Sequence, residues 1–323
     1  MYCEATRRGK LSNSTATLSI IIVNYNTCDL LKQCLASVYA DIEEGSNGIV
    51  AEVIVVDNAS GDGSAAMVRS LYPQVSLIES GANLGYGGGA NLGLKTARGR
   101  YLMLLNSDTI VLEGALRQLV AFMDAHPDAG ACGPRLLNPG SSLQRSAFRF
   151  PTLAQVALDL FPIFPRLVDT TLNGRYQQDN PANQQPFAVD FTLGAAFVVS
   201  RAAYECTGGF DADFFMYAEE VDWAMRIHAA GYHYYSVPAA RVVHYAGQSV
   251  KSAPRRMFYE LHHSRALLYR KHYSSVFQRA ARLLTRAAML YRALADWRQQ
   301  RHGAFDAAEL RQRWRVYGKI FRL

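Results

Sequence analysis

A chain of 323 residues, half of them hydrophobic and 19% charged, is long and apolar enough to bury a substantial core, which excludes a disordered chain. The formal charge of +7 is uneven: residues 255–323 hold 16 Lys/Arg and 4 Asp/Glu, against 18 and 23 before them, so the basic character belongs to the tail and suits an acidic surface. No apolar run reaches the roughly 18 residues of a membrane span, the N-terminus shows no apolar signal-peptide core, and five scattered cysteines without C-x-x-C spacing read as reduced thiols, so a cytoplasmic protein is expected.

Residues 1–16 are polar and without periodicity, and read as a loose arm. Strand and helix patterns then alternate. Leu18–Val23 is a β-branched run, and Asp29–Tyr39 repeats apolar residues at helical spacing. Glu52–Asp57 and Ser64–Leu71 form the next strand and helix. Val75–Glu79 is followed by a glycine-rich turn and a helix near Gly89–Ala97. Tyr101–Leu105 ends at Asn106-Ser-Asp108, before a helix over Gly114–Ala125. Four βα units in succession predict a mainly parallel sheet, Rossmann-like, with helices on both faces.

Arg135–Pro186 is proline-rich and reads as loops and short helices. Regular structure resumes over Phe187–Ser200 and Phe214–Ala230, with short strands at Tyr232–Val237 and Arg241–His244. From Arg255 the chain reads as helical. The expected division is an arm over 1–16, a catalytic domain over 17–253 with halves 17–137 and 138–253, and a basic helical tail over 254–323. In an open parallel sheet ligands bind beyond the carboxyl ends of the strands. Asn24-Tyr25-Asn26, Asp57-Asn-Ala-Ser60 and Asn106-Ser-Asp108 all fall at such ends, which predicts one shared cleft.

I-I-V-N-Y-N, V-V-D-N-A-S-G-D-G-S, N-L-G-Y-G-G-G-A-N-L-G, L-N-S-D-T, G-G-F-D-A-D-F-F-M-Y-A-E-E-V-D-W and V-V-H-Y-A-G-Q-S follow one another in this order. With them the chain resembles the GT-A-fold, inverting family 2 glycosyltransferases, most closely their bacterial rhamnosyltransferase-like branch, over roughly Leu18 to Lys271. The resemblance implies a nucleoside-diphosphate sugar donor, dTDP-L-rhamnose being favoured over a UDP-sugar. It also implies a divalent cation, Mg²⁺ or Mn²⁺, and a cell-surface glycan or polyprenyl-linked acceptor. A non-catalytic sugar-nucleotide-binding scaffold is the alternative, because the D-x-D usual in such enzymes is here Asn106-Ser-Asp108, with one carboxylate missing.

Carried over residue by residue, Asp57 would accept the imide N–H of a uracil or thymine ring, with Asn24, Tyr25 and Asn26 as the neighbouring wall. Asn106 and Asp108 would face the donor, and Asp108 with His244 would hold the metal. Glu220 would take the acceptor proton. Glu219 and Asp222 would support it, and Gly194, Ala195 and Asp211 would line the acceptor side. The glycine loop carrying Asn83 and Gly85 resembles a dinucleotide fingerprint, but it lies in the third βα turn and not the first, which argues against a nicotinamide cofactor; Asn83 and Gly85 would instead bring the backbone close to the donor nucleotide. In the tail, Phe277, Ala281, Leu284, Ala288, Tyr291 and Ala295 share one helical face and Arg279, Arg282 and Arg286 another. This helix is expected either to pack on the protein or to rest on an anionic membrane surface, at the inner face of the cell membrane. No known nucleic-acid-binding spacing accompanies the basic residues.

Overall fold

The structure, a computed structural model, describes residues 16–45, 48–161, 165–168, 170–176, 184–247 and 253–323. The arm expected over 1–16 lies, apart from Ala16, outside the described residues, as do Gln248 and Ser249 of the His244 motif. Contacts divide the chain into two units. One comprises Met1–Arg149, Tyr176–Phe215 and Glu219–Gln248, and the other Phe150–Arg175, Met216–Ala218 and Ser249–Leu323. The contact boundary is therefore not a single cut at 253/254, because Phe150–Arg175 groups with the tail helices.

The first unit opens with β1 (Leu18–Asn24), α1 (Cys28–Ala40), β2 (Ala51–Asp57), α2 (Ser64–Leu71), β3 (Ser76–Glu79), α3 (Gly85–Thr96) and β4 (Tyr101–Asn106). The short β5 (Thr109–Val111), α4 (Ala115–Ala125) and β6 (Ala129–Leu137) follow. Strands β1 to β4 are all mutually parallel where they pair, with β1 between β2 and β4. That change of direction from β1 to β4 creates the crevice at their carboxyl ends.

Alternation along the strands feeds two apolar layers. Ile20, Ile22, Val53, Val55, Met103 and Leu105 pack with residues of α1, α2 and α4. On the other face α3 lies so close that a Cβ at Gly93 would come within 2.5 Å of Ile21 Cγ2. The helix expected near Gly89–Ala97 begins earlier, at Gly85. Glycine weakens a helix in isolation, but here tertiary contact overrides that preference. Gly85, at φ +74°, also has the Phe215 carbonyl where a Cβ would stand.

After β6 the chain makes β7 (Leu143–Gln144) and β8 (Ala147–Phe148), then returns through β9 (Phe187–Val189), β10 (Phe191–Thr192) and β11 (Ala196–Ser200). Strand β11 runs antiparallel between β4 and β6, joining the parallel half to the rest of the sheet. Helix α7 (Arg201–Thr207) and helix α8 (Glu219–Ala229) lead to β12 (His233–His244). The two strands expected at Tyr232–Val237 and Arg241–His244 are one strand, with a register shift on β6 between Val237 and Arg241. Pro238 lies in that shift, where a missing N–H costs no ladder bond.

The second unit contains α5 (Leu153–Leu160), the single turn α6 (Pro165–Val168), α9 (Pro254–His272), α10 (Ser275–Arg301) and α11 (Ala307–Phe321). Asp159 of α5 accepts from Arg265 of α9 at 2.7 Å, and burial holds the His262 imidazole down at about 3, so it packs as a neutral ring. Ala281, Ala288 and Met289 of α10 are buried. Most of the helical face read from the sequence thus serves packing within this unit, although Tyr291 stays exposed. No described helix is long and apolar enough to cross a membrane.

Candidate active site

The carboxyl ends of β1, β2 and β4 set Asn24, Asp57 and Asn106 side by side, since Asn24 pairs with Asp57 and Val23 with Asn106. Asn24 is fully buried and gives both amide hydrogens to the protein, to Asp57 Oδ1 at 3.1 Å and Ser60 Oγ at 3.0 Å. Its role is therefore to brace Asp57, with no N–H left over for a ligand. Asp57 Oδ2 accepts the Ser60 N–H at 3.0 Å, and each carboxylate oxygen keeps a further lone pair. Tyr25 beside it is exposed, and Asn26 adopts φ 53° with its Oδ1 accepting the Gly61 N–H. Asn83 closes its own loop by accepting from Gly85 N–H and from Asn58, a buried residue of the Asp57–Ser60 cluster.

Asp108 and His244, 136 positions apart, meet. His244 Nε2 lies 3.4 Å from Asp108 Oδ1. They are brought together because β12 pairs with β5, setting His244 opposite Thr109, while Tyr245 N–H donates to the Asp108 carbonyl. The other ring nitrogen is held by Gln144. Its amide nitrogen donates to Asn138 Oδ1 at 2.9 Å and to the His244 carbonyl at 3.3 Å, which turns Oε1 to His244 Nδ1 at 2.7 Å. Nδ1 must then carry the hydrogen, leaving the Nε2 lone pair aimed at a carboxylate oxygen.

Two acceptors set head to head repel unless a proton or a cation lies between them. Asn106 Oδ1, at the end of β4 and two residues before Asp108, is buried with no hydrogen-bond partner. An imidazole nitrogen, a carboxylate oxygen and an amide oxygen nearby in the chain form a donor set that fits Mg²⁺ or Mn²⁺. Among the described residues no third His, Cys, Asp or Glu joins them, so the protein fills only part of such a coordination sphere. Gln144 was invisible to sequence reading, because it stands on a two-residue strand inside a proline-rich stretch with no periodic signal.

The acidic turn opening α8 forms a second polar group. Glu219 and Glu220 each keep one carboxylate oxygen, Oε2, shut off from solvent and without a partner. Burial pushes both carboxyls above the usual range, and the neighbouring Glu220 charge raises Glu219 further. Backbone N–H groups, including that of Gly194, support the Glu220 anion, and a Cβ at Gly194 would stand 3.4 Å from Glu220 Cγ. Asp222 does different work. It is fully buried and binds Arg226 Nε at 2.8 Å, and Arg226 also donates to the Thr207 and Gly209 carbonyls. That ties α8 to the turn preceding Asp211, whose Oδ1 accepts the Asp213 N–H. Ala195 is buried and its carbonyl accepts the Asn106 N–H at 2.8 Å, joining the Gly194 loop to the end of β4.

Tyr86, which the sequence did not single out, links these groups. Its hydroxyl donates to the Gly194 carbonyl at 3.3 Å, and it is held far up by burial and by the charges of Glu219, Glu220 and Asp108. One phenol thus feels the charge of both the acidic turn and Asp108. Immediately before Glu219, Tyr217 and Ala218 both adopt positive φ, 70° and 64°. Such a conformation costs a non-glycine residue of order 1 kcal/mol. Ala218→Gly is expected to raise stability by about 0.5–1 kcal/mol in urea unfolding. An unchanged midpoint would show that this backbone is not strained.

The glycosyl transferase family 2 model matches residues 19–208, more than half of the chain. An N-acetylglucosaminyl-diphospho-decaprenol L-rhamnosyltransferase of Mycobacterium tuberculosis is 29% identical over 86% of this chain and 92% of its own length. The rhamnosyltransferase WbbL of Escherichia coli is 24% identical over 72% and 85%. Among solved structures, a mannosyltransferase from Pyrobaculum calidifontis in complex with GDP-Man and Mn²⁺ superposes with a TM-score of 0.55 at 20% identity, covering 95% of this chain and 86% of that one. At that identity the likeness speaks to the fold, and the fold is GT-A. With the family pattern spanning residues 19–208 and rhamnosyltransferases aligning along most of its length, the chain belongs to glycosyl transferase family 2 and is a rhamnosyltransferase-like glycosyltransferase.

Proposed function

We propose that the protein transfers L-rhamnose from dTDP-L-rhamnose, with inversion, to a polyprenyl-linked saccharide or cell-surface glycan at the inner face of the cell membrane. The observation that carries this reading is the meeting of Asp108 and His244 with lone pairs opposed. Its support on the acceptor side is the pair of buried carboxylates beside Tyr86 and Gly194. The similarity to a decaprenol-linked rhamnosyltransferase supports the choice of sugar and acceptor.

Asp108 and His244 would hold a divalent cation, with Asn106 able to bond a ligand of that ion. When bound, the cation supplies positive charge against the diphosphate of the donor and of the departing nucleotide. Gln144 holds His244 in the tautomer that leaves Nε2 free. Asp57 offers a carboxylate lone pair to the imide N–H of thymine or uracil, with Asn24 and the Ser60 amide fixing its direction. Glu220 accepts the proton of the acceptor hydroxyl as its oxygen bonds to the anomeric carbon, and the bond from that carbon to the diphosphate oxygen breaks on the opposite face. Tyr86 anchors the Gly194 carbonyl and so keeps the Gly194 amide directed at Glu220.

Donor choice is tested by calorimetry with dTDP, UDP and CDP in Mn²⁺. Cytosine has a bare lone pair at the ring nitrogen that carries the imide N–H of thymine and uracil, so against a carboxylate at Asp57 CDP is expected to bind at least about tenfold more weakly, the worth of one unmatched polar contact. Equal or preferential binding of CDP would remove Asp57 from base recognition.

A further inference from the structure

Helix α10 turns one face inward and leaves a second apolar line open. Val276, Leu283, Leu290 and Trp297 follow one another at intervals of seven, close to two helical turns, so they form a single ridge about 32 Å long. Val276 and Leu283 are 65% exposed and Leu290 62%, with the exposed Leu294 beside them. Exposed arginines flank or end the ridge, at 279, 282, 298 and 301, and the Arg301 guanidinium lies 5.0 Å over the Trp297 ring. The helix contains one acid, Asp296, and it is buried, accepting from Tyr317 at 2.8 Å and from Arg313 at 3.4 Å. The outward face is thus apolar and cationic with no carboxylate.

We propose that this face of α10 lies on an anionic phospholipid surface, its ridge entering the acyl boundary and its arginines meeting the lipid phosphates. The proposal deepens the placement of the enzyme at a membrane and is independent of its donor and metal chemistry. Three observations favour that occupant. A continuous apolar line on a helix exposed in a folded protein signals a contact surface. A second copy of the chain would bring arginine rows together with no acid to offset them, whereas anionic headgroups complement every charge on the face. The helix is not apolar enough to span a bilayer, so it would rest in the interface, the mode suited to a basic helix with one apolar side.

Cosedimentation with vesicles of phosphatidylcholine, alone or mixed with phosphatidylglycerol, tests the proposal on the full chain. Partition to the anionic vesicles is expected to exceed that to the neutral ones by about tenfold or more, and to fall as salt is raised. Leu283→Glu with Leu290→Glu should reduce it by about tenfold or more, since two ridge residues become charged and repelled. Both side chains are mostly in solvent, so the variant is expected to keep the wild-type circular dichroism and melting temperature. Equal partition to both vesicle types, or full binding by the variant, would overturn the assignment. So would a lipid-free dimer, seen by sedimentation velocity, that the variant dissolves. Donor turnover with a soluble acceptor, measured without vesicles, should be the same in variant and wild type. Its loss in both would count against the transfer reaction and leave the lipid result standing.

Discussion

Glu220→Gln is expected to lower turnover by about 10²–10⁴-fold while leaving the donor Kd within about twofold. The amide keeps the shape of the side chain and cannot take a proton, so the loss should appear in kcat with isothermal titration of the donor unchanged. We assign the proposed base role to Glu220 and not Glu219, because Glu220 is the one whose anion the Gly194 amide supports and whose side chain lines the Gly194 loop. The pH profile carries the same assignment. Burial raises the Glu220 pKa, so below that raised value the carboxyl holds its proton and cannot act as base. The rate should therefore climb with pH through a limb lying above the ordinary glutamate value of about 4.3. Since the two glutamates are adjacent and interact, the limb reports the pair and not a single site. A fully active Glu220→Gln enzyme, or a limb at or below the ordinary value, would move the base elsewhere.

Asp108→Asn and His244→Ala are each expected to abolish stimulation by Mn²⁺ or Mg²⁺ and to cut turnover by about 10²-fold or more, as loss of transition-state charge neutralisation requires. Chelation of the wild-type protein should have the same effect and be reversed by added metal. Gln144→Ala is the finer test. It leaves both donor side chains in place and removes only the hydrogen bond that sets the His244 tautomer, so metal affinity should fall by about 10–100-fold. Titrating Mn²⁺ in the presence of dTDP would read this directly. If the chelated enzyme turns over at the full rate, the opposed lone pairs of Asp108 and His244 are bridged by a proton, and the metal role fails.

The lipid surface has a different relation to sequence. Helical spacing did reveal an apolar face on the tail, but Ala281 and Ala288 of that face are buried against the unit's own helices. The ridge at Val276, Leu283, Leu290 and Trp297 lies on the other side, with the arginines, and periodicity gives no means of choosing which of two apolar stripes faces water. Packing chose it. A small-residue stripe of alanines permits close helix contact, whereas the larger leucines and tryptophan remain outside.

What the chain determined by itself was local and ordered. Runs of β-branched residues at period two or wholly buried, separated by amphipathic helices, dictate β1 to β4 and a parallel sheet, and strand ends are where Asn24, Asp57, Asn106 and Asp108 fall. The order of the motifs carried the family, because each marks a strand end or helix start of that sheet. What only the tertiary structure decided were meetings between residues far apart. His244 reaches Asp108 because β12 pairs with β5, Gln144 reaches His244 across 100 positions, and Tyr86 reaches the Gly194 loop across 108. Those contacts depend on strand register and on the glycines that let α3 approach the sheet. Neither leaves a periodic trace in the residues involved, because a single polar side chain on a short strand or in a glycine loop reads the same whether it faces water or a partner.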